Sequence, residues 1–408
     1  MQISKSKKQI IVLYSSTILG VILGVFISIL NTRHLCPTEY GDVRYVNNII
    51  SFFSGILLFG YFTSGSRLLA LSETKEQTSR IKGALILILG ITVVILICIL
   101  AICGLIHNYF LHKTFYDLFY CVLPVCGSTL VLNYVNTSSQ GDNSIYTIAI
   151  ARVLPQFIYL IVAFFVYKIS GATSEKMLML QNGIYFIVIS IIILKNNPSF
   201  TKLKETLKDL KKENKQYGLQ VYYGSLANVS VQYIAGITLG LFGFDNTNVG
   251  FYSLALTVTT PLSMLPNVIG TTFFKHFAHQ NSIDVKILKG TMTMSVVSLI
   301  GFMILIFPIV NILYDKSYEN VALFACFLAF SSTLQGLGDV FNRFLGAHGK
   351  GRFLRNGAWA SGTIAIIGYI LFVYLWGING AIMTRIASSL TYLIMMAFYY
   401  MNFKKQFK

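Results

Sequence analysis

Apolar stretches of about 20 residues recur along the whole 408-residue chain, and this pattern limits what the chain can fold into. A helix needs a stretch of that length to cross the hydrocarbon core of a bilayer. Charged residues make up only 12% of the sequence, whereas soluble domains carry roughly 25%. The sequence therefore predicts an all-α polytopic membrane protein. It excludes a secreted disulfide scaffold, a disordered chain and a nucleic-acid binder.

The spacing of the apolar stretches predicts twelve transmembrane helices in two sets of six. The first stretch is long enough to span the bilayer and lacks a small-residue cleavage site, so it is a retained helix. A polar interval at 196–218 is predicted as a cytoplasmic amphipathic linker on the inner leaflet, between an N-lobe (1–195) and a C-lobe (219–408). The predicted spans are 10–32, 43–70, 83–106, 117–140, 147–168, 177–195, 219–243, 249–272, 287–313, 320–346, 354–376 and 378–402.

The basic residues predict the orientation of these spans. If the N-terminus is inside, 23 of the 32 Lys and Arg residues fall in inner segments, six in outer loops and three within spans. Cytoplasmic loops accumulate Lys and Arg, so this asymmetry places both termini in the cytoplasm. The net charge of +17 is then mostly a topology signal.

A weak internal repeat supports two related halves. At an offset of 208 residues, Gln140-Gly141-Asp142 after helix 4 falls on His348-Gly349-Lys350 after helix 10. Six helices in each half are typical of a duplicated transporter, and an even number makes the halves parallel. We expect two pseudo-repeated six-helix lobes around a central cavity, with helices 1, 2, 7 and 8 lining it.

Polar residues within the spans are candidate substrate-binding groups. Asn47 and Asn48 lie on one face of helix 2, and Asn228 and Gln232 lie four residues apart on helix 7. Such faces are expected to line a cavity. The alternative is that these side chains hold neighbouring helices together by hydrogen bonds.

Cations within the spans are a stronger signal, because a charge near the bilayer centre costs at least about 2.5 to 3.5 kcal/mol. Arg152 and Arg385 lie well inside helices 5 and 12. Arg67 and Lys275 lie close to the inner ends of helices 2 and 8, where reaching to the headgroups is the alternative role. An excess of cations predicts an anionic substrate, and arginine favours phosphate.

Asp339 is the only acidic residue clearly within a predicted span, and it is a candidate for ion coupling. Arg343 follows one helical turn later, so an intrahelical ion pair is the alternative role for this carboxylate. A cavity that binds cationic drugs would need more intramembrane acid than this.

The sequence lacks the motifs of an enzyme or a cofactor-binding protein. No phosphate-binding loop is present, and the six cysteines have no CxxC spacing. His276 and His279 could hold a metal only with a third ligand that the sequence does not supply. We therefore expect transport without a metal or cofactor, rather than a membrane glycosyltransferase or polymerase.

Two short motifs resemble those of a known family. Arg33-His34-Leu35-Cys36-Pro37-Thr38-Glu39-Tyr40-Gly41, after helix 1, resembles the Arg-x-Leu-x-Pro-x-x-Tyr/Phe-Gly pattern of polysaccharide repeat-unit (O-antigen) flippases. Val249-Gly250-Phe251-Tyr252 looks like the same family's Val-Gly-x-Tyr signature. These flippases belong to the multidrug/oligosaccharidyl-lipid/polysaccharide exporter (MOP) superfamily.

The resemblance implies a flippase of the bacterial inner membrane that carries undecaprenyl-diphosphate-linked oligosaccharide, O-antigen or capsule, to the outer leaflet by alternating access. It implies membrane lipids, a polysaccharide polymerase and a chain-length regulator as partners. The family's cavity cations correspond loosely to Arg152, Arg385, Arg67 and Lys275. A cation-coupled drug or metabolite exporter of the same superfamily is the alternative.

Overall fold

The structure is a computed structural model that describes residues 5–406, without the side chains of residues 5–7, 10 and 275. The two ends of the chain, which are predicted to be cytoplasmic, lie outside the described residues. The side chain of Lys275, a predicted substrate-binding residue, lies outside them too. Within residues 5–406 the chain is helical and contains no strand. The helices are α1 Lys5–Thr32, α2 Pro37–Ile56, α3 Tyr61–Leu71, α4 Lys75–Tyr109, α5 Asp117–Val122, α6 Ser128–Gly141, α7 Ile145–Ser170, α8 Ser174–Lys195, α9 Leu203–Glu213, α10 Leu219–Phe242, α11 Thr247–Thr272, α12 Phe274–Phe277, α13 Val285–Leu313, α14 Asn320–Ala347 and α15 Gly351–Lys405.

Long apolar helices with exposed hydrophobic surfaces make this a multi-pass membrane protein. Nine helical stretches of the described residues are long and apolar enough to cross a bilayer, or ten if α2 and α3 form one broken span. Leucine, isoleucine and phenylalanine side chains are exposed along these helices, as lipid contact requires. The fold class predicted from the sequence is confirmed, whereas the count of twelve spans and the central cavity stay predictions.

The 55-residue helix α15 contains a break at Gly377, which has φ 54° and ψ −131°. A residue with a side chain rarely adopts this conformation, so glycine is the residue that fits it. The break falls at the single residue between the predicted spans 354–376 and 378–402.

The second predicted span, 43–70, is not one continuous helix. α2 ends at Ile56, α3 begins at Tyr61, and the two helices meet at an angle of 56°. Between them, Phe59 and Gly60 have φ values of 43° and 78°. Left-handed backbone interrupts the helical hydrogen bonds, so the predicted helix is broken in two within this span.

The helical contacts divide the chain into two compact units. The first consists of Met1–Leu35 and Val46–Leu226, and the second of Cys36–Tyr45 and Ala227–Lys408. In the first unit α1 packs on α7, and α6 packs on α3, α7 and α8; in the second, α14 packs on α11, α13 and α15. The polar linker packs with the first unit, and both α2 and α10 run from one unit into the other.

The linker helix α9 packs its apolar face on protein. Leu210 is completely buried, and α9 lies against α3 and α4. The lysines on its opposite face, Lys204, Lys208, Lys211 and Lys212, are exposed. Leu210 on the apolar face of this helix therefore packs on neighbouring helices and not on lipid, while the position of the linker at the inner leaflet stays a prediction.

A buried ion pair fixes the start of α4 to the end of α6. Lys82 Nζ lies 2.5 Å from Asp142 Oδ2, and both side chains are largely buried. Tyr134 donates a hydrogen bond of 3.3 Å to the Lys82 carbonyl. Lys82, which the sequence suggests only as one of the positive charges of an inner segment, thus has a structural partner.

Candidate functional site

Arg152 lies between α1 and α7 in the first unit. Its guanidinium donates a hydrogen bond to the Thr17 hydroxyl of α1. Gly20 lies one turn further along α1, and a Cβ there would be 3.5 Å from Arg152 Cγ. The small residue therefore leaves room for the arginine stem, and the guanidinium is held against a neutral partner.

Arg385 lies in the second half of α15, in the second unit. Its Nη1 donates a hydrogen bond of 3.0 Å to the Val231 carbonyl of α10. Tyr252 and Tyr369 interact electrostatically with the same guanidinium, and their hydroxyls are 3.5 Å apart. The arginine is therefore surrounded by neutral oxygen atoms.

Neither intramembrane arginine has a carboxylate partner in the part of the chain that the structure describes. Both side chains are partly buried. A guanidinium has five N–H donors in a planar fork, so each arginine retains donors beyond the bond to its neighbouring helix. Each arginine can thus donate hydrogen bonds to an anion without first breaking an ion pair.

Arg67 and Lys275 differ from these two arginines. Arg67 Nη1 lies 2.6 Å from Glu213 Oε1 of the linker, and its guanidinium stacks over Tyr217 at 5.0 Å. Half of the Arg67 side chain is exposed. Lys275 falls in the short helix α12, and its side chain is outside the described residues.

Asn47 of α2 is bonded to α8. It accepts a 3.0 Å hydrogen bond from Asn182 and donates one of 3.4 Å to Gln181. Asn182 in turn accepts a 2.6 Å bond from the hydroxyl of Ser128 in α6. Asn47 therefore joins neighbouring helices, which is the alternative role that the sequence left open for it. The next residue, Asn48, is partly buried.

Asn228 and Gln232 are exposed side chains on α10, one helical turn apart. Both belong to the part of α10 that packs with the second unit. A polar pair on the surface of an apolar helix fits a water-lined path better than lipid contact. Their predicted role in binding substrate stays a prediction.

Asp339 of α14 accepts hydrogen bonds from two neighbouring helices. Tyr392 of α15 donates one of 2.9 Å, and Asn267 of α11 donates one of 3.1 Å. Arg343 donates to Asn267 at 3.3 Å, and within residues 5–406 it makes no direct ion pair with Asp339. The carboxylate therefore sits in a polar cluster that joins α11, α14 and α15.

The two histidines considered as metal ligands lie in the exposed segment after α11. His276 Nε2 is 3.2 Å from Asp284 Oδ2, and the bonds from His276 and Gln280 lower the pKa of Asp284. Among the described residues, no group of three His, Cys, Asp or Glu side chains could hold a metal ion.

The two sequence motifs form one helix contact in the second unit. Pro37 begins α2, and Glu39 accepts a 3.1 Å bond from the Cys36 amide, which caps the helix. A Cβ on Gly41 would collide with the Asn246 carbonyl, and one on Gly250 would lie 2.6 Å from the Pro37 carbonyl. The motif glycines therefore allow the backbones of α2 and α11 to touch.

Side-chain bonds reinforce this contact. Asn246 donates a 2.7 Å hydrogen bond to Asp42, and the hydroxyls of Thr38 and Thr247 are 2.8 Å apart. The motif tyrosine, Tyr40, packs edge-on against Tyr318. The two motifs, whose glycines Gly41 and Gly250 are 209 residues apart in sequence, thus meet in the structure.

A model of the family described as polysaccharide biosynthesis protein matches residues 6–279, which is more than half of the chain. The chain belongs to this family. No curated protein matches the sequence. The family resemblance predicted from the motifs is therefore confirmed.

Solved structures of transporters share the fold. The lipid II flippase MurJ in an inward closed conformation is 15% identical, with a TM-score of 0.72 over 95% of this chain and 87% of that chain. An inward-facing multidrug resistance MATE family transporter of the MOP superfamily is 12% identical, with a TM-score of 0.65 over 97% and 99%. A eukaryotic MATE transporter is 12% identical, with a TM-score of 0.56 over 97% and 98%. The chain therefore has the fold of MOP-type transporters.

Sequence reasoning did not find several residues that carry these contacts. Asn267 and Asn182 lie in apolar helices, and their partners come from other helices. Asn214 lies in the linker, where polar residues are ordinary, yet it is buried. A buried asparagine can be recognised only when the helix packing is known.

Proposed function

We propose that this protein is a flippase that moves undecaprenyl-diphosphate-linked oligosaccharide repeat units, of O-antigen or capsule, from the inner to the outer leaflet by alternating access. Family membership supports a role in polysaccharide biosynthesis. The fold shared with a lipid II flippase supports a lipid-linked substrate. In this proposal the protein lies in a bacterial inner membrane, with a polymerase and a chain-length regulator as partners.

The observation that carries the proposal is that Arg152 and Arg385 are partly buried in apolar helices and have no carboxylate partner among the residues that the structure describes. Keeping an unpaired cation there is costly, and an anionic substrate group offsets that cost. A diphosphate offers several oxygen atoms to a planar fork of N–H donors, which a neutral substrate does not. Arg67 is a weaker candidate, because Glu213 already neutralises it.

The test is transport of undecaprenyl-diphosphate-linked oligosaccharide by the protein in proteoliposomes. A hydrogen bond to a charged group contributes about 1.5 to 3 kcal/mol, so Arg152→Ala or Arg385→Ala should weaken substrate binding about 10- to 100-fold. Lysine at either position should restore only part of the activity, because it lacks the planar fork. Arg352→Ala is the matched control, since Arg352 is exposed at the start of α15. Normal transport by both alanine variants would refute the proposal.

Asp339 favours a second candidate function, a cation-coupled drug or metabolite exporter. This carboxylate is partly buried among Tyr392, Asn267 and Arg343, as an ion-coupling acid would be. Asp339→Asn keeps the shape and removes the charge. If Asp339→Asn loses transport while Arg152→Ala and Arg385→Ala retain it, the result favours the cation-coupled exporter over the flippase.

A further inference from the structure

The break in the second span leaves backbone carbonyl groups without helical partners. At 57–60 the chain turns through left-handed residues, so the carbonyls of Ile56 and Phe59 lose the regular helical pattern. A carbonyl that is removed from water without a partner costs free energy, so such a break persists only where other groups bond to it. The partners at this break come from the linker and the start of α10.

Two side chains more than 150 residues away supply these bonds. Asn214 Nδ2 donates to the Phe59 carbonyl at 3.0 Å, and the Tyr222 hydroxyl donates to the Ile56 carbonyl at 2.6 Å. Asn214 also accepts a 3.1 Å bond from the hydroxyl of Ser64, in the first turn of α3. Asn214 is only 4% exposed, although it lies in a polar segment.

A π-helical turn at Asn214–Gly218 brings the linker this close to the break. Such turns inside helices are rare and often mark functional positions. A Cβ on Gly218 would collide with Ser64 and Asn214 and would lie 2.6 Å from the Gly60 carbonyl. Glycine at both 60 and 218 thus allows the two backbones to meet.

We propose that this contact is a latch: Asn214, Gly218 and Tyr222 docked on residues 56–60 hold the second span bent and release it during transport. The release step rests on the proposed transport function. α9, the π-helical turn and α10 follow one another without a gap, and α10 continues into the second unit at Ala227. A rotation of α10 therefore pulls directly on the groups that bond to the break.

The chemistry of the latch suits a reversible contact. The latch consists of hydrogen bonds from side chains to backbone carbonyls, and each contributes about 1 kcal/mol net. A few such bonds can break and re-form together during a conformational change. The left-handed backbone of Phe59 is strained for a residue with a side chain, which favours straightening once the bonds are lost. The ion pair between the half-exposed Arg67 and Glu213 adds a further attachment beside them.

The first test measures the bend itself and needs no substrate. Spin labels at Phe52→Cys and Ala70→Cys, in a background without the six native cysteines, report the distance across the break by pulsed electron paramagnetic resonance. Asn214→Ala, Gly218→Ala and Tyr222→Phe should each shift the distance upward, toward the roughly 27 Å that a straight helix from 52 to 70 spans. Lys211→Ala, an exposed linker variant, should leave it unchanged. Tyr222→Phe removes only one hydroxyl, so it keeps the test valid if the other variants do not fold. An unchanged distance in the folded latch variants would overturn the proposal.

The second test asks whether the latch must release. Ser64→Cys with Asn214→Cys allows the latch to be crosslinked by a short thiol-cleavable bifunctional reagent. Ser72→Cys with Thr78→Cys is the matched control, since those two hydroxyls are 2.8 Å apart at the turn between α3 and α4. Crosslinking the first pair should abolish transport, a reductant should restore it, and the control pair should transport throughout. Full transport by the crosslinked latch would refute release.

The two proposals fail separately. If crosslinking stops transport of the lipid-linked oligosaccharide while Arg152→Ala and Arg385→Ala have no effect, the latch stands and the arginine site is wrong. If no transport of this substrate is found in any variant, the electron paramagnetic resonance distances still decide whether the linker sets the bend.

Discussion

At the scale of single residues, the family motifs are explained by how closely two helices approach. Gly41 and Gly250 each face a backbone carbonyl at a distance that leaves no room for a methyl group. Backbone cannot move aside as a flexible side chain can, so the glycines are required for the contact between α2 and α11. Arg152 and Arg385 could be predicted as candidate site residues from the sequence alone, because a charged residue is unusual within an apolar helix.

Alanine at either motif glycine should destabilise the protein. A methyl group forced against backbone costs about 1 to 3 kcal/mol, so Gly41→Ala and Gly250→Ala should lower the thermal unfolding midpoint measured in detergent. Gly290→Ala and Gly301→Ala are matched controls, because apart from the adjacent backbone of α13 itself nothing lies within 4 Å of a Cβ at those positions. The controls should be neutral or slightly stabilising, since alanine favours a helix over glycine. Equal midpoints for all four variants would contradict this explanation of the motifs.

At the scale of helices, the sequence predicted one break and missed another. The interruption at Gly377 separates two apolar stretches of full length, so span length alone indicates it. The break at 57–60 lies inside a continuous apolar run, Ile56-Leu57-Leu58-Phe59, where hydropathy gives no signal. Its carbonyls are bonded by Asn214 and Tyr222, and no local pattern reveals partners so distant in sequence.

The ion pair between Lys82 and Asp142 should contribute strongly to the packing of α4 on α6. Removing one partner of a buried pair leaves a charge without compensation, at a cost of about 3 to 5 kcal/mol. Lys82→Met or Asp142→Leu alone should therefore sharply reduce the yield of folded protein and its unfolding midpoint. The double variant should recover much of the loss, because an apolar pair leaves no buried charge. Additive losses in the double variant would mean that the two side chains act independently.

At the scale of the whole molecule, the first unit carries two positions that report the orientation in the membrane. α4 has 35 residues, so it is about 52 Å long, whereas the hydrocarbon core is about 30 Å thick. α4 packs on α9, which carries Lys208, and Ser79 near the start of α4 accepts a hydrogen bond from the Ser199 amide of the linker. The last residue of α4, Tyr109, precedes the exposed Thr114. If α4 spans the bilayer, Lys208 and Thr114 are expected on opposite sides of it, and the distribution of Lys and Arg predicts that Lys208 is inside.

Cysteine labelling in intact cells decides this orientation. In a background without the native cysteines, Thr114→Cys should react with a membrane-impermeant thiol reagent added outside. Lys208→Cys should react only after the cells are lysed. The reverse pattern would invert the orientation, and the 23 Lys and Arg residues on the predicted inner side would then break the positive-inside rule. Reaction of both positions from outside would mean that α4 does not span the membrane. The expected pattern would place the linker, with Asn214, on the inner side, which is the side from which the proposed substrate is loaded.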